Sequence, residues 1–295
     1  MNWLIPAKTF LVGEYAAICG APAILLTTSP CFELSLIAKE GLEGIHSESP
    51  AGRWWLAQHH QQMGLKWQDP YQGLGGLGAS SAQFLGAYLA DSYLKRKIPS
   101  REDLLETYLN HTTSEKGLKP SGYDVLAQSL NGCVYIDRQG GICQHDAWPF
   151  EDLAFILIHT GKKLATHEHL QATTLLPSID QLIAIVHQAK MAFDSANSQA
   201  FIDAVNAYYQ ELLEMNLVAH YTKEQILFFK TEENVLGIKG CGAMGADVLL
   251  VLVPQQKEEE MSARWSAMGF DLIARTAARY SGSYLMDDSR FFKQS

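Results

Sequence analysis

The spacing of hydrophobic positions changes several times along the chain, and each change marks an element. Residues 1–40 hold short apolar runs, "WLIP", "TFLVGEY" and "PCFELSLIA", broken by glycine and proline, a pattern of strands and turns. From residue 80 the spacing becomes helical. Ala82, Phe84, Leu85, Tyr88 and Leu89 share one face and predict a helix over 80–96. A second helix is predicted over 101–111, where Ser100 followed by Asp103 supplies a capping signal. "GCVYIDRQGGICQ" (132–144) alternates around a Gly-Gly pair and predicts a hairpin.

Farther on, "LAFILIHTG" (153–161) is a continuous apolar run of the length of a buried strand. A helical region over 178–215, a helix over 222–231, the strand "DVLLVLVP" (247–254), a helix near 256–267 and a strand-like "SGSYLMD" complete the pattern. Strands and helices do not alternate strictly, which disfavours a doubly wound parallel sheet and favours an α+β fold. At 295 residues the chain exceeds the usual size of a single core, so a boundary is placed near residue 150, giving halves 1–150 and 151–295. Neither a repeat nor a low-complexity linker separates them, and an extended shared interface is expected.

Composition narrows the function classes. Hydrophobic residues make up 47% and charged residues 19%, the balance of a globular protein. A formal charge of -9 argues against a nucleic-acid partner but allows an anionic small substrate, because a few local lysines can dominate a pocket. Five scattered cysteines, Cys19, Cys31, Cys133, Cys143 and Cys241, form no C-x-x-C pair; reduced thiols in a cytoplasmic protein are expected, without structural zinc. No apolar run reaches the length of a membrane span and the first residues lack an export signal, so no membrane partner is expected.

"GLGGLGASSAQFLGAYL" (73–89) places five glycines and two serines around the start of the first predicted helix. Each glycine costs roughly 0.5–1 kcal/mol relative to alanine in ordered structure, so the cluster asks for a compensating reason. A helix N-terminus has unpaired N–H groups and the positive end of the macrodipole, which suits a phosphate. Gly76 and Gly78 would let the backbone approach the anion, and Ser80 or Ser81 would offer a hydroxyl to phosphate or to its Mg2+. The plain alternative is a glycine-rich turn with a serine cap. Neither the Walker A spacing nor a G-x-G-x-x-G fingerprint after a strand is present.

Three more segments join this loop: "PAKTFLVGEYAAICGAPAI" (6–24), "PSGYDVLAQSLNG" (120–132) and "GIKGCGAMGADVLLVL" (237–252). In order and content the four resemble the motifs of the GHMP kinases, the superfamily of galactokinase, homoserine kinase, mevalonate kinase and phosphomevalonate kinase. The resemblance spans nearly the whole chain. It implies a two-domain α+β GHMP kinase fold, with an N-terminal mixed α/β domain carrying the phosphate loop and a C-terminal ferredoxin-like α+β domain. ATP and Mg2+ are the implied cofactors. Gly75, Gly76, Leu77, Gly78, Ala79, Ser80, Ser81 and, from the last segment, Gly242 are the implied nucleotide-binding residues, with Ser80 facing the metal. Gln72 stands where the family has a proline.

Asp124 matches the aspartate that takes the proton of the attacking hydroxyl, and Lys8 matches its lysine partner, with Ala7 in place of the family's glycine. Read without the family, Lys8 is a solvated lysine at a strand end and Asp124 a helix N-terminal carboxylate. The metal carboxylate of mevalonate kinases falls on Thr113 here; the nearest acid is Glu115. Glu14, Tyr15, Ser121, Thr160, Lys162, Thr166, Gly240 and Ala243 are the implied substrate residues. Lys162 and Lys163 also read as a solvated basic turn, and His167 and His169 as surface histidines.

"GEY" (13–15) and "GAMGAD" (242–247) are similar to phosphomevalonate kinases, whereas the segment around Asp124 and "CGAPAI" (19–24) match mevalonate kinases as well. Met244 and Ala246 replace glycines of either pattern. The resemblance implies transfer of the ATP γ-phosphoryl group to phosphomevalonate or mevalonate, in isoprenoid precursor synthesis, by a monomer or homodimer. The alternatives are a kinase for a sugar or homoserine, a decarboxylase of the same superfamily, and a non-catalytic protein of this fold that binds a small molecule.

Overall fold

The computed structural model describes residues 1–112, 120–138, 142–161, 179–242 and 245–278, with 142–146 as backbone only. The early apolar runs become β1 (Asn2–Val12) and β2 (Ala23–Ile37), antiparallel partners with register breaks at Ile5/Ala7 and Phe10/Val12. β3 (Gly41–Glu43), helix α1 (Pro50–Ala57), β4 (Gly64–Gln68), α2 (Ala79–Leu94), α3 (Arg101–Thr112), α4 (Tyr123–Leu130), β5 (Cys133–Asp137) and β6 (Ile142–Asp146) follow. β2 is long enough for two neighbours on its other edge, β5 along Ala23–Leu26 and β4 along Glu33–Ile37. The resulting sheet runs β3-β4-β2-β5-β6, with β1 beside β2.

The remaining described elements are β7 (Leu153–His159), α5 (Asp180–Asp194), α6 (Ser198–Glu214), α7 (His220–Lys230), β8 (Gly237–Cys241), β9 (Val248–Pro254), α8 (Glu258–Ala267) and β10 (Asp271–Arg275). Their sheet is antiparallel throughout in the order β10-β7-β9-β8. Taken in chain order these strands stand 4-1-3-2, the ferredoxin-like arrangement expected for this half. The region expected to be helical over 178–215 divides into α5 and α6. Ala196 takes a left-handed conformation (φ 49°), and the Asn197 side chain then caps α6 by accepting the Ala200 N–H at 3.0 Å. The strand-like segment at 281–287 lies outside the described residues.

One continuous apolar core runs from Trp3, Ile5 and Leu34 in the first sheet through Phe155, Leu157 and Leu250 in the second. β7 buries every side chain, as its unbroken apolar run requires of a central strand covered on both faces. This shared core fixes the glycine segments of one half against those of the other. Among the described residues no helix is long and apolar enough to cross a membrane.

Candidate active site

Lys8 lies where β1 passes the starts of two helices. Its backbone N–H donates to Leu77 O at 3.0 Å, and its Nζ lies 3.2 Å from Asp124 Oδ1 in the first turn of α4. The lysine side chain is 8% exposed and the aspartate 34%, so the ammonium is sheltered while the carboxylate opens outward. Beside them the Tyr108 phenol stays protonated, because burial and the Asp124 charge both push its pKa above the ordinary tyrosine value.

α2 and α4 start in the same unusual way. Each follows a left-handed glycine, Gly78 (φ 80°, ψ 28°) or Gly122 (φ 75°, ψ 2°), and neither N-terminus has a side-chain cap. The N-cap glycines offer no side chain to the first-turn N–H groups, of which Tyr123 N–H alone is answered locally, by Ser121 Oγ, and both helix starts lie next to the Lys8 side chain. Gln128 on α4 joins the parts, its Nε2 donating to Pro6 O at 2.8 Å and to Gly78 O at 3.2 Å. Ser81 points inward, its Oγ donating to Gly78 O at 2.9 Å, while Ser80 is exposed in the first turn of α2. Ser80 thus keeps the freer hydroxyl of the two.

The last glycine segment closes on the other two. At Gly240, in β8, a Cβ would lie 2.1 Å from Gly245 O, so only glycine permits this turn. Gly245 N donates to Gly242 O at 3.1 Å, and Gly242 is left-handed at φ 83°. Asp247 packs on the phosphate-loop candidate: a Cβ on Gly75 would lie 3.0 Å from its Cγ, and one on Gly76 would lie 2.7 Å from its Cβ. Asp247 O accepts the Thr160 N–H at 2.8 Å, and Gln225 Nε2 donates to Thr160 O at 3.1 Å. Thr160 itself is buried.

Glu14 and Tyr15 are both buried. Glu14 Oε1 lies 2.8 Å from Nζ of Lys239, with side-chain exposures of 4% and 0%. Burial pushes the Glu14 carboxyl above the usual carboxylate range, against the pull of the Lys239 ammonium. Ser121 Oγ accepts the Tyr123 N–H at 3.2 Å, and Ser121 O accepts from Arg138 Nη1 at 3.0 Å. The remaining expected residues, Glu115, Lys162, Thr166 and Ala243, lie outside the described residues, as does Thr113.

The structure thus brings Lys8, Asp124, Leu77 and Gly78 together, and sets Gly75 and Gly76 against Asp247. Sequence reasoning missed Gln128 and Lys239. A lysine between Ile238 and Gly240 in an otherwise apolar strand was the available signal, as was a glutamate inside "FLVGEYAA". As a cradle the site fits a polyphosphate, offering glycine backbone, two uncapped helix starts and one sheltered ammonium. Among the described residues no group of three or more His, Cys, Asp or Glu side chains could hold a metal ion. A metal here would rest on Ser80 and on phosphate oxygens, a coordination common for Mg2+.

No protein-family model matches the sequence, and no curated protein matches it. Solved structures do match over nearly the whole chain. Phosphomevalonate kinase of Streptococcus pneumoniae is similar with a TM-score of 0.73 and 14% identity, covering 93% of this chain and 98% of that one. Mevalonate kinase of Methanococcus jannaschii gives 0.69 and 14% identity over 96% of this chain and 98% of that one. Galactokinase of Lactococcus lactis, solved with galactose, gives 0.69 and 12% identity over 93% and 92%. All are GHMP kinases, and the fold of this chain is the GHMP kinase fold.

Proposed function

We propose that this protein is an ATP- and Mg2+-dependent phosphotransferase whose acceptor is the hydroxyl of a small organic acid, phosphomevalonate or mevalonate. The observation that carries the reading is the Lys8–Asp124 pair, 3.2 Å apart, set between the uncapped starts of α2 and α4. Phosphoryl transfer asks little covalent chemistry of a protein; it asks for a placed acceptor and for neutralised charge. Bound ATP would supply the phosphoryl group, and Mg2+ would offset the charge of its phosphates.

This chain's residues would divide the rest of the work. The backbone of Gly75–Ala79 and the first turn of α2 bind and orient the phosphates, with Ser80 directed to the metal. Lys8 holds the Asp124 carboxylate in place through their ion pair and balances the charge gathering on the phosphoryl oxygens. Asp124 aligns the acceptor hydroxyl and takes its proton at a carboxylate oxygen. Gly240, Gly242 and Gly245 shape the far wall, with Ser121 and Thr160 near the acceptor. Glu14, bound to Lys239 inside the protein, holds this wall rather than the acceptor. A cytoplasmic location suits Cys19, Cys31, Cys133 and Cys241, none of which is in a disulfide.

The phosphomevalonate reading is favoured by "GEY" and by the aspartate closing "GAMGAD". The test is Mg2+-dependent ADP release by the purified protein, assayed separately with phosphomevalonate, mevalonate, homoserine and galactose. Turnover with one of the first two is expected. Turnover only with homoserine or galactose reassigns the acceptor, release of carbon dioxide marks a decarboxylase, and failure to bind ATP overturns the kinase reading.

A further inference from the structure

The last glycine segment is fastened at both ends, to a different partner at each. At its start, Lys239 reaches Glu14 at 2.8 Å and Cys241 Sγ at 3.7 Å, with its ammonium 5.7 Å from the Tyr208 ring centroid. At its end, Asp247 lies against Gly75 and Gly76. Between these anchors Gly240 and Gly245 touch backbone to backbone. Glu14 follows the end of β1, the strand that carries Lys8. A single chain of contacts therefore runs from the strand bearing Lys8, through Glu14 and Lys239, around the glycine turn, and through Asp247 to the phosphate-loop candidate.

Burying two full charges is costly, and a well-packed apolar pair of similar volume commonly serves stability as well or better. What an apolar pair lacks is a fixed distance and direction. We propose that Glu14 and Lys239 are positioning residues of the phosphate site, setting the glycine turn, and through Asp247 the Gly75–Gly76 backbone, relative to Lys8. The proposal rests on the phosphotransfer reading and adds to it a pair that touches neither nucleotide nor acceptor. Its physical content is that a small displacement of the phosphate-binding backbone is expensive even in a fully folded protein.

The test compares the full-length parent, the double variant Glu14→Leu/Lys239→Met, and Lys239→Arg, by thermal melting and by calorimetric titration with Mg2+-ATP. The double variant removes both charges together, so neither is left buried alone. It is expected to melt close to the parent yet to bind Mg2+-ATP about tenfold or more weakly, while Lys239→Arg stays near the parent in both. A double variant with the parent's melting temperature and affinity overturns the proposal. So does one that melts far below the parent, since the pair would then hold the fold rather than the site. A parent that binds no Mg2+-ATP removes the phosphotransfer reading and this proposal with it; a parent that binds, beside an equally tight double variant, removes this proposal alone.

Discussion

Lys8 fills the space into which a side chain on residue 78 would project: a Cβ there would lie 2.8 Å from Lys8 Cγ and 3.0 Å from its Cε. Gly78 also sits at φ 80°, a conformation that side-chain-bearing residues resist. Gly78→Ala should therefore cost about 1–3 kcal/mol in a denaturant melt and weaken Mg2+-ATP binding, because Lys8 and the start of α2 must move apart. A variant with the parent's affinity would show that this close approach is not needed for binding.

Asp124→Asn keeps size and shape while removing the charge beside Lys8. Turnover should fall by roughly 10²–10⁴, the usual worth of a positioned general base, with nucleotide affinity close to the parent's. Steady-state kinetics and calorimetry on the same preparation separate the two effects. Full activity in this variant would remove Asp124 from the reaction.

His159 carries a pH dependence of stability. Its Nδ1 accepts the Gly161 N–H at 3.0 Å, which requires the neutral ring. Burial holds its pKa below the ordinary 6.5, against smaller upward pulls from Asp247 and Asp271. With the folded value below the unfolded one, the unfolded chain binds the proton more readily. The stabilisation is fully present above pH 6.5 and is lost as pH falls through the folded pKa. His159→Asn, whose side-chain oxygen can accept the same N–H, should flatten the decline in melting temperature between about pH 7 and pH 5. Parallel declines in parent and variant would assign the pH dependence to other groups.

Local chemistry made much of the site legible. The glycines at 76, 78, 240 and 245 stand where backbones approach too closely for a Cβ or turn left-handed, and such needs write themselves into the sequence one residue at a time. Lys8 and Asp124 could be paired because each lies in its own motif. Glu14 and Lys239 could not, since their attraction depends on how two sheets meet and leaves no periodic trace. The break between α5 and α6 was hidden for another reason. Ala196 turns left-handed without being glycine, and only the capping Asn197 marks the new helix. Chain order alone disfavoured a doubly wound sheet, but the double use of β2 by β4 and β5 required the pairing itself.

The strand order of the second sheet also has a consequence for synthesis. β7 is flanked by β9 and β10, so its two edges are closed by segments made after it, the second only when residues 271–275 have appeared. Until then a strand apolar from Leu153 to Ile158 presents an open hydrogen-bonding edge to whatever else is in reach. On a ribosome adding about 5–20 residues per second, that interval lasts several seconds to tens of seconds for every molecule made. A nascent chain stalled before β10 is thus a sticky species with its first sheet already able to form, and a holding chaperone would find its grip on residues 153–159.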